Sequence, residues 1–433
     1  MHEYDAKYVT TPNYKSTVHF NGHGGYTAPD LELPPEKLDW WRDAKLGMFI
    51  HWGLYALLGK GEWEYFNGKW KREDYARLVD KFNPTTKPED IAHEWLDTAQ
   101  SAGARYAVMV TRHHDGFALW PSESSYLGFN SGLLGKDYVR AFTDECHARG
   151  IHTGLYYSPM DWRFPGYFDP DGQPESAQAM KRQCHGQIEE LTTRYGRVEL
   201  IWFDGGWLAH KGHDVDAAWL WDPIALCRRA RANQPDILLS PRSGYIGDFQ
   251  CDEGPHAITG EIIPQPWEKC MTTGDAWGYQ PGAKVYEPEF IIRMLADVIC
   301  RGGNLLLNIG PDPDGHVPEE VKKLFRALGE FTSANGEAIF GTRAGIWQPV
   351  DDVYGAVYRD DCAYLHIVDA AKFVGMTLPA VNYRFVKCHT LDGRQIPFRQ
   401  DETGVRLSLH EDLVANAPVD LVLRLVAEKP IVL

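Results

Sequence analysis

The stretch PEDIAHEWLDTAQSAGARYAVMVTRHHDGF, residues 88–117, decides the fold class. Its first half sets apolar residues at helical spacing and stops on Gly103, whereas its second half, ARYAVMVT, is apolar and β-branched and closes on Arg112, His113 and His114. That order is helix, glycine, buried strand, polar end. The same grammar recurs on both sides. Upstream, LGMFIHWG (46–53) is a short apolar run stopped by His51 and Gly53. Downstream, a helix over 137–150 leads into IHTGLYYS (151–158), one over 176–195 into VELIWFDGG (198–206), and one around 217–232 into DILLSPR (236–242). A further helix around 289–300 leads into NLLLNIGP (304–311), and a last one over 319–331 into residues 338–340. Strands alternating with helices signify a parallel sheet covered by helices. Seven or eight such units across one stretch of chain predict a (β/α)8-like barrel rather than a doubly wound sheet. No G-x-G-x-x-G follows the first strand, which counts against a dinucleotide fold.

Beyond about residue 342 the period changes. VYGAVYRDDCAYLHIV (353–368), YRFVKCHTLDGRQIPFRQ (383–400) and GVRLSLHE (404–411) alternate apolar and polar residues between turns such as Asp392-Gly393. The expectation is a catalytic barrel domain over 1–341, with a polar N-terminal extension, followed by a small antiparallel β-sandwich domain over 342–433.

Composition limits the partners. The 433 residues hold 44 Lys plus Arg against 60 Asp plus Glu, a net charge of -16, which repels nucleic acid and anionic membrane surfaces. No run of about 18 apolar residues suggests a membrane span. The 15 Trp, 21 Tyr and 18 Phe suit a neutral, partly apolar ligand such as a sugar ring. The eight cysteines include no C-x-x-C pair and read as buried thiols. The N-terminus has neither a basic n-region nor an apolar h-region, so the expectation is a cytoplasmic chain or one whose signal has been removed.

In a barrel of parallel strands the chemistry gathers at the strand C-termini. Successive strands here end on His51, on His113 and His114, on Tyr156 and Ser158, on Asp204, and on Arg242. One such residue is ordinarily structural; five consecutive strand ends form a set. Asp204 is the sharpest, because it closes the apolar run LIWF and precedes two glycines that permit close approach. Hydrolysis of a glycosidic bond needs a second carboxyl. Glu253 and Glu268, in the segment after Arg242, both qualify. His51, His113, His114 and Asp115 also have the chemistry of metal ligands, but adjacent histidines on an extended strand face opposite ways, and neutral imidazoles bonding to sugar hydroxyls explain them without a metal.

The segments FIHWG, GEWEYF, FNPTTKPEDIAHEW, AGARYAVMVTRHHDGFALW, GLYYSPMDW, LIWFDGG, WEKC with WGY, and NLLLNIGPDPDG, in order from about residue 38 to 343, resemble the α-L-fucosidases of glycoside hydrolase family 29. The resemblance implies a retaining, exo-acting hydrolase of terminal α-L-fucosyl residues, built on an often irregular barrel followed by a β-sandwich and needing no metal or other cofactor. It implies that Asp204 is the nucleophile. It also implies that His51, Glu62, Trp63, His113, His114, Tyr156, Trp202 and Arg242 hold the sugar's hydroxyls or its apolar face. For the general acid/base, many members read GDF-x-T-P-E where this chain reads Gly247-Asp248-Phe249-Gln250-Cys251-Asp252-Glu253. Glu253 keeps the carboxylate's place and is the first choice, with Glu268 second and Asp252 third. The implied partner is a fucosylated oligosaccharide or glycoconjugate, and a homo-oligomer is compatible with this reading. Two rivals stand beside it: a metal-dependent barrel hydrolase using His51, His113 and Asp204, and a catalytically silent fucose-binding protein, prompted by Cys251-Asp252. Linkage selection would fall to the loops 165–175 and 254–265.

Overall fold

A computed structural model describes residues 6–20 and 24–433. Eight strands build one sheet: β1 (Leu46–Ile50), β2 (Tyr106–Arg112), β3 (His152–Tyr157), β4 (Leu200–Phe203), β5 (Leu238–Leu239), β6 (Gln250–Glu253), β7 (Trp267–Met271) and β8 (Gly303–Ile309). Their order is β5-β4-β3-β2-β1-β8-β7-β6, and each neighbouring pair is parallel. The sheet curls around one interior, since Phe49, Val108, Tyr156, Trp202, Leu238, Cys251, Cys270 and Leu306, one from each strand, share a single apolar cluster. Leu38, Trp41 and Ala44, just upstream of β1, belong to that cluster too. Among the described residues no ladder joins the edge strands β5 and β6, so the expected barrel appears as a curled, open sheet.

Six long helices accompany the strands: α1 (Pro88–Ser101), α2 (Tyr138–Arg149), α3 (Pro174–Thr193), α4 (Pro223–Asn233), α5 (Pro288–Ile299) and α6 (Glu319–Ile339). Their ends are written in the sequence. Pro88 opens α1, with Glu89 and Asp90 in the positive first turn, and Ile91, Trp95, Leu96 and Ala99 make its buried face. The Asp137 carboxylate caps α2 by accepting Arg140 N–H at 2.9 Å, and Gly150 ends it in the left-handed region.

Several boundaries differ from the sequence expectation. The helix read around 217–232 is two helices, because Asp222 takes a φ of 53° and caps a new start at Pro223. The strand expected over 236–242 shrinks to two residues, as Pro241 ends the ladder. α6 runs through Ile339, so residues 338–340 are not a strand. The segment after Arg242, read as irregular, contains β6 and β7. Their charges disguised them. Asp252 and Lys269 are register partners on the outer face and pair at 2.6 Å, fully buried, while Cys251 and Cys270 face the interior.

After α6 the chain turns antiparallel. Strands β9 (Arg343–Ala344), β10 (Tyr354–Arg359), β11 (Cys362–Ile367), β12 (Phe385–Thr390) and β15 (Leu421–Ala427) form a sheet in the order β9-β10-β11-β15-β12, beside a hairpin of β13 (Phe398–Asp401) and β14 (Gly404–Leu407). Trp347, Leu365, Phe385, Val405 and Leu425 share their core. All eight cysteines are buried and free.

Candidate active site

A pocket opens at the C-terminal ends of the strands. His51 follows β1, His113 and His114 follow β2, Tyr156 stands on β3, Trp202 and Asp204 end β4, Arg242 lies beyond β5, and Glu253 ends β6. Glu62 and Trp63 reach in from the loop after β1. These ten expected residues therefore share one lining. Phe49, Trp207, Cys270 and Trp277 complete it.

Asp204 is held from three sides. Tyr156 donates its hydroxyl to Oδ2 at 2.8 Å, His114 Nε2 stands 3.6 Å from the same oxygen, and Arg242 places a guanidinium nitrogen 3.0 Å from Oδ1. The turn beneath it is tight: Gly205 has a φ of 80°, and a Cβ there would stand 2.4 Å from Met160 Cε. Arg242 itself sits at a φ of 75°, a strained value for a residue with a side chain, and its other terminal nitrogen bonds Glu253 Oε2 at 2.8 Å. One guanidinium thus joins the two carboxylates.

The histidines are neutral donors and acceptors. Burial holds His51 down to about 4. Asn308 Nδ2 donates to Trp277 O at 2.7 Å, which leaves Asn308 Oδ1 to accept His51 Nδ1–H at 2.7 Å. His51 Nε2 is therefore a free acceptor facing the pocket. Burial, reinforced by neighbouring cations, drives His113 and His114 well below the ordinary histidine range. His114 Nδ1 bonds Ser158 Oγ at 2.7 Å, whereas His113 Nδ1 is buried without a partner, a polar atom awaiting one. Burial likewise raises the Glu62 carboxyl, whose Oε2 accepts Gly278 N–H at 2.9 Å.

The walls are aromatic. Tyr156 stacks on Trp202 at 5.9 Å and on His113 at 5.5 Å, and Trp63 meets His114 edge-on at 5.5 Å. A floor of rings beside a rim of carboxylates and imidazoles matches a sugar, whose C–H face is apolar and whose hydroxyls need both donors and acceptors. An open cleft adjoins the pocket and shares Trp207 and Arg242 with it.

Other expected residues lie elsewhere. Glu268 sits on β7 inside the curled sheet, fully buried, with Tyr106 donating to Oε2 at 2.5 Å and Trp202 Nε1–H to Oε1 at 2.9 Å. Burial pushes its carboxyl up to about 7. It supports Trp202 from behind and does not line the pocket. Asp252 faces outward to Lys269, opposite to Glu253. Asp115 accepts the Tyr75 hydroxyl at 2.7 Å, and Arg112 pairs with Asp161 at 3.1 Å, both buried behind the histidines. Among the described residues one group has ligand atoms near enough for a metal: His113, His114 and Asp204, within 4.8 Å of one another. Adjacent histidines can share it because β2 ends at Arg112, before the pleat would separate them.

The sequence reading gave no site role to Asn308, Trp207 or Trp277, although Asn308 and Trp277 lie in segments that carry the resemblance. Asn308 lies within the run NLLLNIG, where an amide in a buried strand was the available signal; the two tryptophans stand in loops.

The family model described as Alpha-L-fucosidase matches residues 17–337. Among curated proteins, the chain is 32% identical over 334 residues to a putative alpha-L-fucosidase of Caenorhabditis elegans, covering 71% of this chain and 68% of that protein. It is 30% identical over 344 residues to the plasma alpha-L-fucosidase of Rattus norvegicus, covering 72% of each. Among solved structures, alpha-L-fucosidase isoenzyme 1 from Paenibacillus thiaminolyticus superposes with a TM-score of 0.77 at 29% identity, covering 91% of this chain and 99% of that one. An alpha-L-fucosidase from Bacteroides thetaiotaomicron shares the fold with a TM-score of 0.79 at 24% identity, covering 99% of both chains.

Proposed function

Because the chain belongs to the α-L-fucosidase family of glycoside hydrolases, we propose that it is an exo-acting, retaining hydrolase of terminal α-L-fucosyl residues on glycans. The observation that carries this reading is the pair of carboxylates, Asp204 and Glu253, facing one aromatic pocket and joined by Arg242. In this account the curled sheet acts as an irregular (β/α)8 barrel, and residues 342–433 form a separate β-sandwich domain.

The sugar enters with its apolar face on the Trp202 and Tyr156 rings, and its methyl group against the aromatic wall adds about 0.8 kcal/mol of binding. His51 Nε2 accepts a sugar hydroxyl, and His113, His114 and Glu62 hold others. Glu253 leaves Arg242, carries a proton and gives it to the glycosidic oxygen as that bond breaks. Asp204 attacks the anomeric carbon through an oxocarbenium-like transition state and forms a glycosyl ester. Arg242 and the Tyr156 hydroxyl remain on the Asp204 carboxylate and orient it. Glu253 then takes a proton from water, which cleaves the ester and regenerates both carboxyls. The aglycone extends into the cleft beyond Trp207.

The proximity of His113, His114 and Asp204 favours one rival, a metal-dependent hydrolase. Against it, both Asp204 oxygens already face a donor, Oδ1 the Arg242 guanidinium at 3.0 Å and Oδ2 the Tyr156 hydroxyl at 2.8 Å, so a metal would have to displace one of them. Release of 4-nitrophenol from 4-nitrophenyl α-L-fucoside, with and without EDTA, tests both readings. Turnover unaffected by EDTA supports the fucosidase. Loss of turnover on chelation selects the metal enzyme, and fucose binding without turnover selects the silent binder.

A further inference from the structure

Two connections on the rim carry no helix, 240–249 and 254–266, and they lead into and out of β6, the strand that ends on Glu253. Every other connection between neighbouring strands of this sheet contains a helix; here the N-terminal segment bridges to β6 and to the two connections that flank it. Ser16 makes an antiparallel bridge to Gly260, Phe20 one to Asp252, and Tyr26 a parallel one to Tyr245. His19 donates its backbone N–H to Asp252 Oδ1 at 2.8 Å, Thr17 donates its own to Thr259 O at 3.1 Å, and Ser16 Oγ donates to the same carbonyl at 2.8 Å. The approach demands a glycine: at Gly260, with a φ of 95°, a Cβ would stand 2.1 Å from Lys15 O.

The seam is locked through one carboxylate. Asp252 Oδ1 takes the His19 N–H, and Oδ2 takes Lys269 Nζ from β7 at 2.6 Å, with His256 Nε2 at 3.2 Å. Asp252 and Glu253 are consecutive on a strand, so they face opposite ways and move together. Whatever fixes Asp252 from outside fixes the reach of Glu253 on the inside.

We propose that residues 14–20 are a positioning element for Glu253, standing in for the missing helices and setting the distance from its carboxyl to the glycosidic oxygen. The inference rests on Glu253 being the general acid/base. A leaving group needs protonation in proportion to its basicity, so a displaced acid harms poor leaving groups most and activated ones least.

The full-length variant His19→Pro removes the N–H given to Asp252, while His19→Ala keeps it. Both are assayed on 4-nitrophenyl and phenyl α-L-fucoside beside Glu253→Ala, with thermal melting of each. The expected result for His19→Pro is a loss in kcat/KM about tenfold larger on the phenyl than on the 4-nitrophenyl substrate, with KM little changed and His19→Ala keeping the wild-type ratio. The double variant Ser16→Ala/Thr17→Val, which removes side-chain bonds along the same seam, is expected to shift the ratio in the same direction by about two- to threefold, and it decides the matter if His19→Pro does not fold. A folded His19→Pro, or double variant, with equal losses on both substrates overturns the inference while Glu253→Ala still shows leaving-group dependence. If Glu253→Ala shows none, the assignment of the acid/base falls first.

Discussion

Asp204 owes its position to its neighbours as much as to its strand. Gly205 is one of them: Gly205→Ala places a Cβ against Met160 and 2.9 Å from His114 Cε1 at a left-handed φ. The expected cost is about 1–3 kcal/mol of stability, with kcat reduced because the turn that aims the carboxylate shifts; melting curves and kcat on 4-nitrophenyl α-L-fucoside check both. Glu268 gives a prediction of different kind. Its carboxyl is raised from 4.5 to about 7 by burial, so ionising it in the folded protein opposes folding. That penalty is absent below pH about 4.5 and complete above about 7. Glu268→Gln keeps an acceptor for Trp202 and a polar contact to Tyr106 without the charge. Its stability relative to the wild type is expected to rise by on the order of 3 kcal/mol from pH 4.5 to 7.5, measured as melting at each pH. A difference that is flat or falls with pH contradicts the account of that residue. At this scale the sequence exposed the histidines, Asp204 and Arg242 because they interrupt apolar runs at strand ends. Residue patterning left Glu253 and Glu268 both open and the family resemblance ranked Glu253 first, whereas the fold shows which carboxylate faces the pocket and which lies beneath Trp202.

Among the elements, those with uninterrupted apolar runs, β1 to β4 and β8, were legible directly. β6 and β7 were not, because burying Asp252 and Lys269 requires the pairing that only the sheet register supplies. Removing one partner leaves the other charge buried, so Lys269→Met is expected to destabilise by about 3–5 kcal/mol. The double variant Asp252→Asn/Lys269→Met is expected to recover part of that loss, and a double-mutant cycle by denaturant melting reads the difference. Additive losses contradict a coupled pair. The break at Asp222-Pro223 was written in the sequence as a cap followed by a proline at the first helical position, yet the apolar residues on either side continue the helical pattern across it.

For the molecule as a whole, the junction between α6 and the antiparallel sheet is a further point of leverage. The buried His366 ring reaches Asp420 Oδ2 through Nδ1 at 2.7 Å and Ala338 O, on α6, through Nε2 at 3.2 Å. Although burial opposes the charge, Asp420 and the Ala338 carbonyl favour the protonated ring and raise its pKa above the ordinary 6.5. The stability it adds is present below 6.5 and lost as pH rises through that raised value. His366→Gln is therefore expected to lower the melting temperature more at pH 6 than at pH 9. The two-part grammar of the chain, helix period then strand period, was readable from residue patterning alone. The gap between β5 and β6 was not, because closure of a sheet depends on long-range register. The central claim, that Asp204 attacks and Glu253 moves the proton, is tested most directly by the anomer formed from 4-nitrophenyl α-L-fucoside and azide. In Asp204→Ala azide replaces the nucleophile in a single displacement, so the account predicts β-L-fucosyl azide. In Glu253→Ala azide attacks the ester on Asp204 in a second displacement, so it predicts the α anomer. The same anomer from both variants, or an Asp204→Ala enzyme as active as the wild type, would contradict it.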